Sequence, residues 1–271
     1  MISQGIAGTL ILIFTGLITY LGLSRTSYQD EYKFDVDKIL INKEYHRLFS
    51  SGFLHANWIH FAFNMGALIS FSLSLEIVFG IRNFLLVYFL SLLGGNIFAL
   101  FVHRNNGDYT AVGASGAVSG VIASSILLYP FSEIGLLFIP ISFTSWIFGL
   151  VLILISILGI KSQADNIGHE AHLGGIITGI LLTVILRHEV VFANWWVLLL
   201  LLLPILSFMY VIFYRPDVLI TNKWNFETPK INLASRREIS VDDVLDKIKS
   251  EGFNALTKKE KEILQKSSDK K

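Results

Sequence analysis

The chain has 271 residues, of which 53% are hydrophobic and only 16% are charged. Soluble domains carry about 25% charged residues, so this composition excludes an ordinary soluble globular protein and a disordered chain. The formal net charge of +1 provides no basic field for binding nucleic acid. The absence of cysteine excludes disulfides, thiolate metal sites and a cysteine nucleophile.

Long apolar stretches dominate the chain and predict membrane-spanning helices, each of which needs about 20 mostly apolar residues. The first carries no charge and is too long for a cleaved signal peptide, so it is interpreted as an anchor. The predicted spans are residues 5–23, 57–79, 83–102, 111–132, 134–160, 169–186 and 190–214. The expected fold class is therefore an all-α, polytopic membrane helical bundle.

The chain is expected to divide into three parts. Residues 1–187 form a six-span core, residues 188–214 a seventh span, and residues 215–271 a polar tail. Two helix-start signals, Ser240 with Asp243 and Thr257 with Glu260, predict a helical hairpin in the tail. A solvated, partly frayed tail is the alternative, and whether residues 190–214 cross the membrane completely stays open.

Polar residues gather at the starts of alternate spans. His60 and Asn64 lie near the start of the second span, Ser115 starts the fourth, and His172 lies near the start of the sixth. Consecutive spans alternate in direction, so these three starts lie at the same membrane face. The four side chains are therefore expected to converge if the three spans are neighbours.

This set of residues has the chemistry of acyl transfer. A serine hydroxyl becomes a nucleophile when a base takes its proton, and histidine is the usual base. We therefore expect Ser115 as nucleophile and His172 as base. His60 and Asn64 lie one helical turn apart and both donate hydrogen bonds, which suits the stabilisation of an oxyanion together with the backbone N–H of Ser115.

Glycines predict that the two helices carrying Ser115 and His172 pack closely. Gly116 and Gly120 are four residues apart on one, and Gly175 and Gly179 on the other. Small residues at this spacing let helix backbones approach, although close packing without chemistry is their more common meaning.

The polar residues also have simpler interpretations. A lone membrane serine usually bonds to the preceding turn, and Glu76 is explained by its side chain reaching the opposite interface. Asp165 and Glu170 are the carboxylates closest in sequence to His172, but neither has a persuasive spacing for a triad. A Ser–His dyad is therefore the simpler expectation.

At this point the sequence resembles the rhomboid intramembrane serine proteases. Three blocks carry the resemblance in family order: Glu44-Tyr45-His46-Arg47 with His55 and the element from His60 to Asn64; Gly113-Ala114-Ser115-Gly116; and Ala171-His172-Leu173-Gly174-Gly175 with Gly179. The resemblance covers about residues 5–187. The seventh span and the tail resemble the variant with one extra C-terminal span.

The resemblance implies an intramembrane serine endopeptidase that cleaves transmembrane protein substrates. It implies Ser115 as nucleophile, His172 as base and His60 and Asn64 as oxyanion stabilisers, and we take Gly113 as a further oxyanion or substrate-binding position. It implies no metal or cofactor, with membrane lipid as a partner and no nucleic acid. The expected location is the plasma membrane of a bacterium, and the oligomeric state stays open.

The resemblance also suggests a route for the substrate. Residues 134–160 are expected to admit it laterally, with Phe143 and Trp146 as gate-lining aromatics and residues 161–168 as a cap. The family implies an inside amino terminus and an outward-facing site, whereas the distribution of Lys and Arg predicts the reverse. That orientation, and with it the side of the tail, stays open.

The chain departs from the family pattern at two positions. His46 stands where Trp often precedes the Arg, and Ser119 stands where some members have a Tyr that packs on the catalytic histidine. Two alternatives remain: a catalytically silent relative that binds transmembrane helices, and a transporter with a polar relay. Both Ser115 and His172 are present, which disfavours the first, and the polar set lies at one face, which disfavours the second.

Overall fold

The computed structural model describes residues 5–136, 139–162 and 167–214, together with residues 244, 248 and 249. The chain divides into two compact units, residues 1–225 and 226–271, and the helical bundle belongs to the first. Apart from residues 244, 248 and 249, the predicted hairpin of the tail lies outside the described residues. So does Asp165.

The described part of the first unit is an all-α bundle with two small two-stranded sheets, as the composition predicts. Its helices are α1 (Ile6–Ser24), α2 (Thr26–Tyr32), α3 (Val36–Leu40), α4 (Arg47–Ser50), α5 (Trp58–His103), α6 (Ser115–Leu128), α7 (Ser145–Ser162), α8 (His169–Leu186), α9 (His188–Ala193) and α10 (Trp195–Tyr214). Its strands are β1 (Phe34–Asp35), β2 (Thr110–Ala111), β3 (Glu133–Leu136) and β4 (Ile139–Thr144). Of the described helices, α1, α5, α7, α8 and α10 are long and apolar enough to cross a membrane.

Helix α5 contains the second and third predicted spans, which meet at a single glycine. Gly80 has a φ of 73°, a conformation that glycine adopts at little cost, and it separates residues 58–79 from residues 81–103. The Arg187 guanidinium donates to the Val78 carbonyl, one of the carbonyls that the break leaves without a helical partner. The predicted boundary between the two spans is therefore confirmed.

Helix α6 lies at the centre of the bundle. All its residues after Ser115 are buried, and α8 runs parallel to it at backbone contact. A Cβ on Gly175 would meet the Gly116 carbonyl oxygen, and one on Gly179 would meet the Gly120 carbonyl oxygen. The two glycine pairs therefore pack α6 directly against α8, as their spacing predicts.

The central helix is shorter than expected. The sequence predicts a span over residues 111–132, but α6 runs only from Ser115 to Leu128, about 21 Å at 1.5 Å per residue. Before α6, the two residues of β2 pair with β1 of the first loop, and the Gly113 N–H donates to Ser51 O. Since a hydrocarbon core is about 30 Å thick, α6 is too short to cross it alone.

The fifth predicted span, residues 134–160, is wrong for the described residues before Ser145. Strands β3 and β4 form an antiparallel hairpin there, and α7 begins only at Ser145. An apolar run suits a strand as well as a helix, and this one contains Gly135, Pro140 and several β-branched residues that disfavour a helix. Phe143 and Trp146 consequently lie beside the C-terminal end of α6, where the Trp146 backbone N–H donates to Pro130 O.

The N-terminus of α1 is bound by a buried carboxylate from α5. Glu76 is 5% exposed and accepts hydrogen bonds from the N–H groups of Ala7 (3.3 Å) and Gly8 (2.9 Å). The positive end of a helix dipole favours a carboxylate at this position. At this end of the bundle, away from Ser115, Glu76 joins α5 to the start of α1.

The first loop, residues 25–57, is folded against the segment that leads into α6. Strand β1 pairs with β2, and the Gly113 N–H donates to Ser51 O at 3.0 Å. The buried Arg47 holds the loop together by donating to the carbonyls of Asp30 and Lys33, both at 2.9 Å. This loop thus determines where residues 109–114 lie.

Helices α9 and α10 occupy the stretch predicted as the seventh span. Helix α10 has 20 residues and buries one stripe of apolar side chains, and Trp196 contacts Trp146 of α7 edge-on with 5.9 Å between ring centroids. The Phe101 and Phe213 rings place its far end near the end of α5. A seventh helix of membrane-spanning length is therefore present.

Candidate active site

Ser115 is the first residue of α6 and the one residue of that helix that is not buried. Ser115, His172, His60 and Gly113 are all partly exposed, although their neighbours Ala114, Gly116 and Leu173 are buried. The bundle therefore has an opening at the end where α6 and α8 begin. We call this end, with Ser115, His172 and His60, the site end.

His60 lies next to Ser115 across Gly113. Gly113 has a φ of 137°, and a Cβ there would lie 3.0 Å from His60 Nε2 and 3.8 Å from Ser115 Oγ. The imidazole and the hydroxyl thus border the same small space, which a side chain at Gly113 would fill. The Gly113 N–H is itself engaged by Ser51 O, so the glycine contributes space at this point.

The start of α5 holds His60 and Asn64 on one face. The Asn57 side chain caps the helix by accepting from the His60 N–H at 2.8 Å. The Asn64 amide donates one hydrogen bond to His60 O at 3.1 Å, and the residue is 7% exposed. An amide has two N–H donors, so this bond uses half of its donor capacity.

His172 lies in the first turn of α8, at the same end of the bundle as Ser115. Its backbone N–H donates to Gly168 O at 3.2 Å, and its ring meets that of His169 edge-on, with 5.7 Å between ring centroids. Ala171, the residue before it, contacts the residue after Ser115, since a Cβ on Gly116 would lie 3.1 Å from Ala171 O. The contact between α6 and α8 therefore brings the backbones carrying Ser115 and His172 together.

His55, to which the sequence assigns no role, lies beside the residue that precedes the serine. Its Nε2 accepts from the Ala114 N–H at 3.5 Å, and its Nδ1 lies 2.9 Å from Thr19 Oγ1. An imidazole nitrogen that accepts from N–H carries no proton, so Nδ1 carries it and donates to Thr19, whose hydroxyl donates to Phe53 O. This chain of bonds links α1 to the residue before Ser115.

Burial keeps His55 neutral. The side chain is 1% exposed, and loss of solvent lowers its pKa from 6.5 to about 3, with a smaller contribution from neighbouring His60. The unfolded chain therefore binds one more proton than the folded chain between about pH 3 and 6.5, and folding stability falls as the pH falls through this range.

Acidification is accordingly expected to destabilise the protein through His55. Between pH 7.5 and pH 5 the loss from this group alone is about 2 kcal/mol, at 1.36 kcal/mol per pH unit below 6.5. Thermal unfolding in detergent at the two pH values measures it. His55→Asn is expected to flatten the pH dependence, whereas His46→Asn, which changes an exposed histidine of the same loop, should retain it. Equal slopes for the two variants would contradict the assignment.

Comparison with known proteins identifies the bundle. The Rhomboid domain family matches residues 42–189, more than half of the chain and all five residues predicted for the site. The chain belongs to the rhomboid family. A family of unknown function (DUF6576) matches residues 234–270 in the tail.

Several named relatives are similar to this rhomboid. Rhomboid protein 1, mitochondrial, of Saccharomyces cerevisiae is 31% identical over 137 residues, covering 49% of this chain and 40% of that protein. The Rhomboid protease GluP of Bacillus subtilis is 32% identical over 143 residues, which cover 53% of this chain and 26% of that protein. RHOMBOID-like protein 6, mitochondrial, of Arabidopsis thaliana is 31% identical over 175 residues, which cover 62% of this chain and 52% of that protein.

These relatives bear on where the rhomboid resides. With its membrane-length helices, the chain is an integral multi-pass membrane protein. Several relatives are named as mitochondrial, so the comparisons do not support the expected placement in the plasma membrane of a bacterium. The chain spans about half or less of the length of these relatives.

Other residues singled out in the sequence lie away from Ser115. Phe143 and Trp146, expected to line a gate, lie at the end of the bundle opposite Ser115, because they adjoin the C-terminal end of α6. Glu170 is 4% exposed and belongs to a buried cluster that the sequence did not suggest. Within the described part of the chain, no three His, Asp or Glu side chains lie close enough together to hold a metal ion.

Proposed function

We propose that this rhomboid is an intramembrane serine endopeptidase that cleaves transmembrane protein substrates with a Ser115–His172 dyad. The observation that carries the proposal is the backbone contact of α6 with α8 beside these two residues, at an opening that His60 also borders. Neither a serine nor a histidine side chain is long, so a dyad from two helices needs this approach.

The proposed reaction is acyl transfer. His172 takes the proton of the Ser115 hydroxyl as Oγ attacks the scissile carbonyl, and later gives it to the leaving amine. The acyl-enzyme is then hydrolysed by water, with His172 again serving as base. The partial exposure of both residues supports the entry of the water that the second step requires.

The developing oxyanion needs hydrogen-bond donors, and we propose three for this role. They are the His60 ring, the second N–H of Asn64, and the backbone N–H of Ser115, which begins a helix and has no carbonyl of a preceding turn. Each such donor typically contributes about 10²–10³ in rate. Gly113 leaves room for the His60 ring next to Oγ.

Shielding by the bilayer suggests which substrates are accessible. A transmembrane helix hides its carbonyls in hydrogen bonds, so a substrate must unwind where it reaches Ser115. Helix-breaking or small residues lower the cost of this unwinding. We therefore propose a transmembrane protein with such a segment near the membrane surface as the substrate class.

Cleavage of a transmembrane reporter by the purified protein in liposomes tests the proposal. The wild type is expected to cleave it and to react with a fluorophosphonate at Ser115, and Ser115→Ala is expected to do neither. Ser70→Ala, an exposed serine on α5, is the matched control and should leave both unchanged. Reporter binding without cleavage or labelling by the wild type would favour the silent helix-binding relative instead.

A further inference from the structure

A buried polar cluster lies behind His172, formed by His103, Tyr109 and Glu170. His103 is the last residue of α5, and its Nε2 lies 3.0 Å from Glu170 Oε1, with side chains 6% and 5% exposed. The imidazole and the carboxylate are therefore as close as an ion pair, but they are not aligned for a hydrogen bond. The His103 ring stacks on Tyr109, with centroids 3.6 Å apart and planes 8° from parallel.

Tyr109 completes the cluster from the loop before β2. Its hydroxyl bonds to the Glu170 carboxylate, and burial raises the pKa of Tyr109, with Glu170 raising it further. The phenol therefore stays protonated and donates to the carboxylate. A Cβ on Gly168 would lie 3.7 Å from the Tyr109 hydroxyl, which places that hydroxyl beside the start of α8.

The same loop leads directly to the serine. Tyr109 O accepts from the Val36 N–H at 3.2 Å, and β2 follows at Thr110, five residues before Ser115. Glu170 thus connects the first turn of α8 with the chain segment that carries the proposed nucleophile. The cluster joins the two halves of the dyad at a second place, apart from the glycine contact between α6 and α8.

A second contact holds the first turn of α8 from the other side. His169 is 5% exposed and packs over Gly159 of α7, where a Cβ would meet its ring. Glu170 and His172 are two residues apart on a helix, so their side chains point to nearly opposite sides. Glu170 consequently cannot act as a third triad member, but its contacts with His103 and Tyr109 bear on the turn from which His172 projects.

A carboxylate at this depth needs a specific reason. An Asp or Glu in a spanning helix costs a few kcal/mol unless it is paired, and an apolar residue would fill the same volume without that cost. Here the carboxylate accepts a hydrogen bond from the Tyr109 hydroxyl, contacts the His103 imidazole and lies at the positive end of the α8 dipole. Three partners from three elements hold it in one geometry.

We propose that Glu170 is a positioning residue for His172, fixing the first turn of α8 through His103 and Tyr109 so that the imidazole stands in register with Ser115. This inference rests on the proposed function. It assigns to Glu170 an effect on the rate of the chemical step, and none on the binding of the transmembrane substrate.

The test compares Glu170→Ala, Glu170→Gln and Tyr109→Phe with the wild type in liposomes. A misplacement of about 1 Å costs roughly 100-fold in rate, so Glu170→Ala is expected to lower kcat and the rate of fluorophosphonate labelling about 10- to 100-fold. The KM of each variant should stay within about twofold of the wild-type value. The Gln side chain in Glu170→Gln still accepts a hydrogen bond from Tyr109, so its kcat should exceed that of Glu170→Ala. The kcat of Tyr109→Phe should lie between those of Glu170→Gln and the wild type.

Glu76→Gln is the matched control, because Glu76 is an equally buried carboxylate at the other end of the bundle. It is expected to lower the melting temperature and leave kcat and labelling unchanged. The proposal is overturned if Glu170→Gln and Tyr109→Phe behave like Glu76→Gln, or if their defect lies in KM.

The imidazole nitrogen resonances of His172, from 15N-labelled protein, separate this proposal from the proposed function. A change in these resonances in Glu170→Gln but not in Glu76→Gln supports positioning even if the wild type neither cleaves nor labels, in which case the proposed function alone fails. Unchanged resonances in Glu170→Gln, with labelling at the wild-type rate, refute positioning and leave the protease intact.

Discussion

Replacing Ser115 and His172 together is expected to slow reporter cleavage no more than replacing either residue alone. Each single alanine variant should lose about 10⁴-fold or more in kcat/KM, because a nucleophile without its base and a base without its nucleophile are equally ineffective. The double variant should show the same residual rate, since the two residues act as one unit. Reporter cleavage by Ser115→Ala, His172→Ala and the double variant measures this.

Two further substitutions control for the loss of a serine and of a histidine as such. Ser70→Ala and His188→Ala alter an exposed serine and an exposed histidine away from the site end, and the combination should cleave at the wild-type rate. If His172→Ala kept most of the activity while Ser115→Ala lost it, a base other than His172 would be required, and the dyad would be wrong.

Adding one methyl group at Gly175 is expected to be among the most damaging small changes in the protein. A Cβ there would meet the Gly116 carbonyl oxygen, a backbone atom that cannot rotate away, so α6 and α8 must separate. Overpacking of this kind costs about 1–3 kcal/mol, and displacing Ser115 from His172 by about 1 Å costs roughly 100-fold in rate. Melting temperature and kcat of Gly175→Ala should therefore both fall.

The same substitution at Gly66 separates helix packing from glycine chemistry. Gly66 lies within α5, and a Cβ there would have no atom within 4 Å. Gly66→Ala should keep full activity and gain up to about 1 kcal/mol, because alanine favours the helix. Wild-type activity in Gly175→Ala would show that the contact between the helices is not needed to align the dyad.

Several parts of the fold follow from sequence patterns alone. The apolar segments of α1, α5, α8 and α10 lie where hydropathy predicts them, because a spanning helix needs an apolar run of a definite length. The glycines at positions 116, 120, 175 and 179 predicted the contact between α6 and α8, since spacing by four places them on one helical face.

Other parts could not be read in this way. Residues 133–144 have an apolar composition that suits either a helix or a hairpin, and only pairing between β3 and β4 decides which one forms. The start of α6 differs from the prediction because residues 110–114 are apolar enough to extend the helix, but Thr110 and Ala111 pair with the first loop and the Gly113 N–H donates to Ser51 O.

Polar residues show the same division. The position of Glu76 within an apolar segment was visible in the sequence, but its partners, the N–H groups of Ala7 and Gly8, lie almost 70 residues away. The bond between His55 and Ala114, and the pairing of Glu170 with His103, likewise join residues that no local spacing connects.

The sequence by itself therefore determined the membrane class, the order of the helices and the residue types at their starts, because hydropathy and chain direction are properties of each segment alone. Only the tertiary structure decided the length of α6, the hairpin before α7 and the partners of His55 and Glu170. These depend on which segments lie beside one another. A buried polar group is stabilised by whichever donor or acceptor reaches it in space, whatever their separation along the chain.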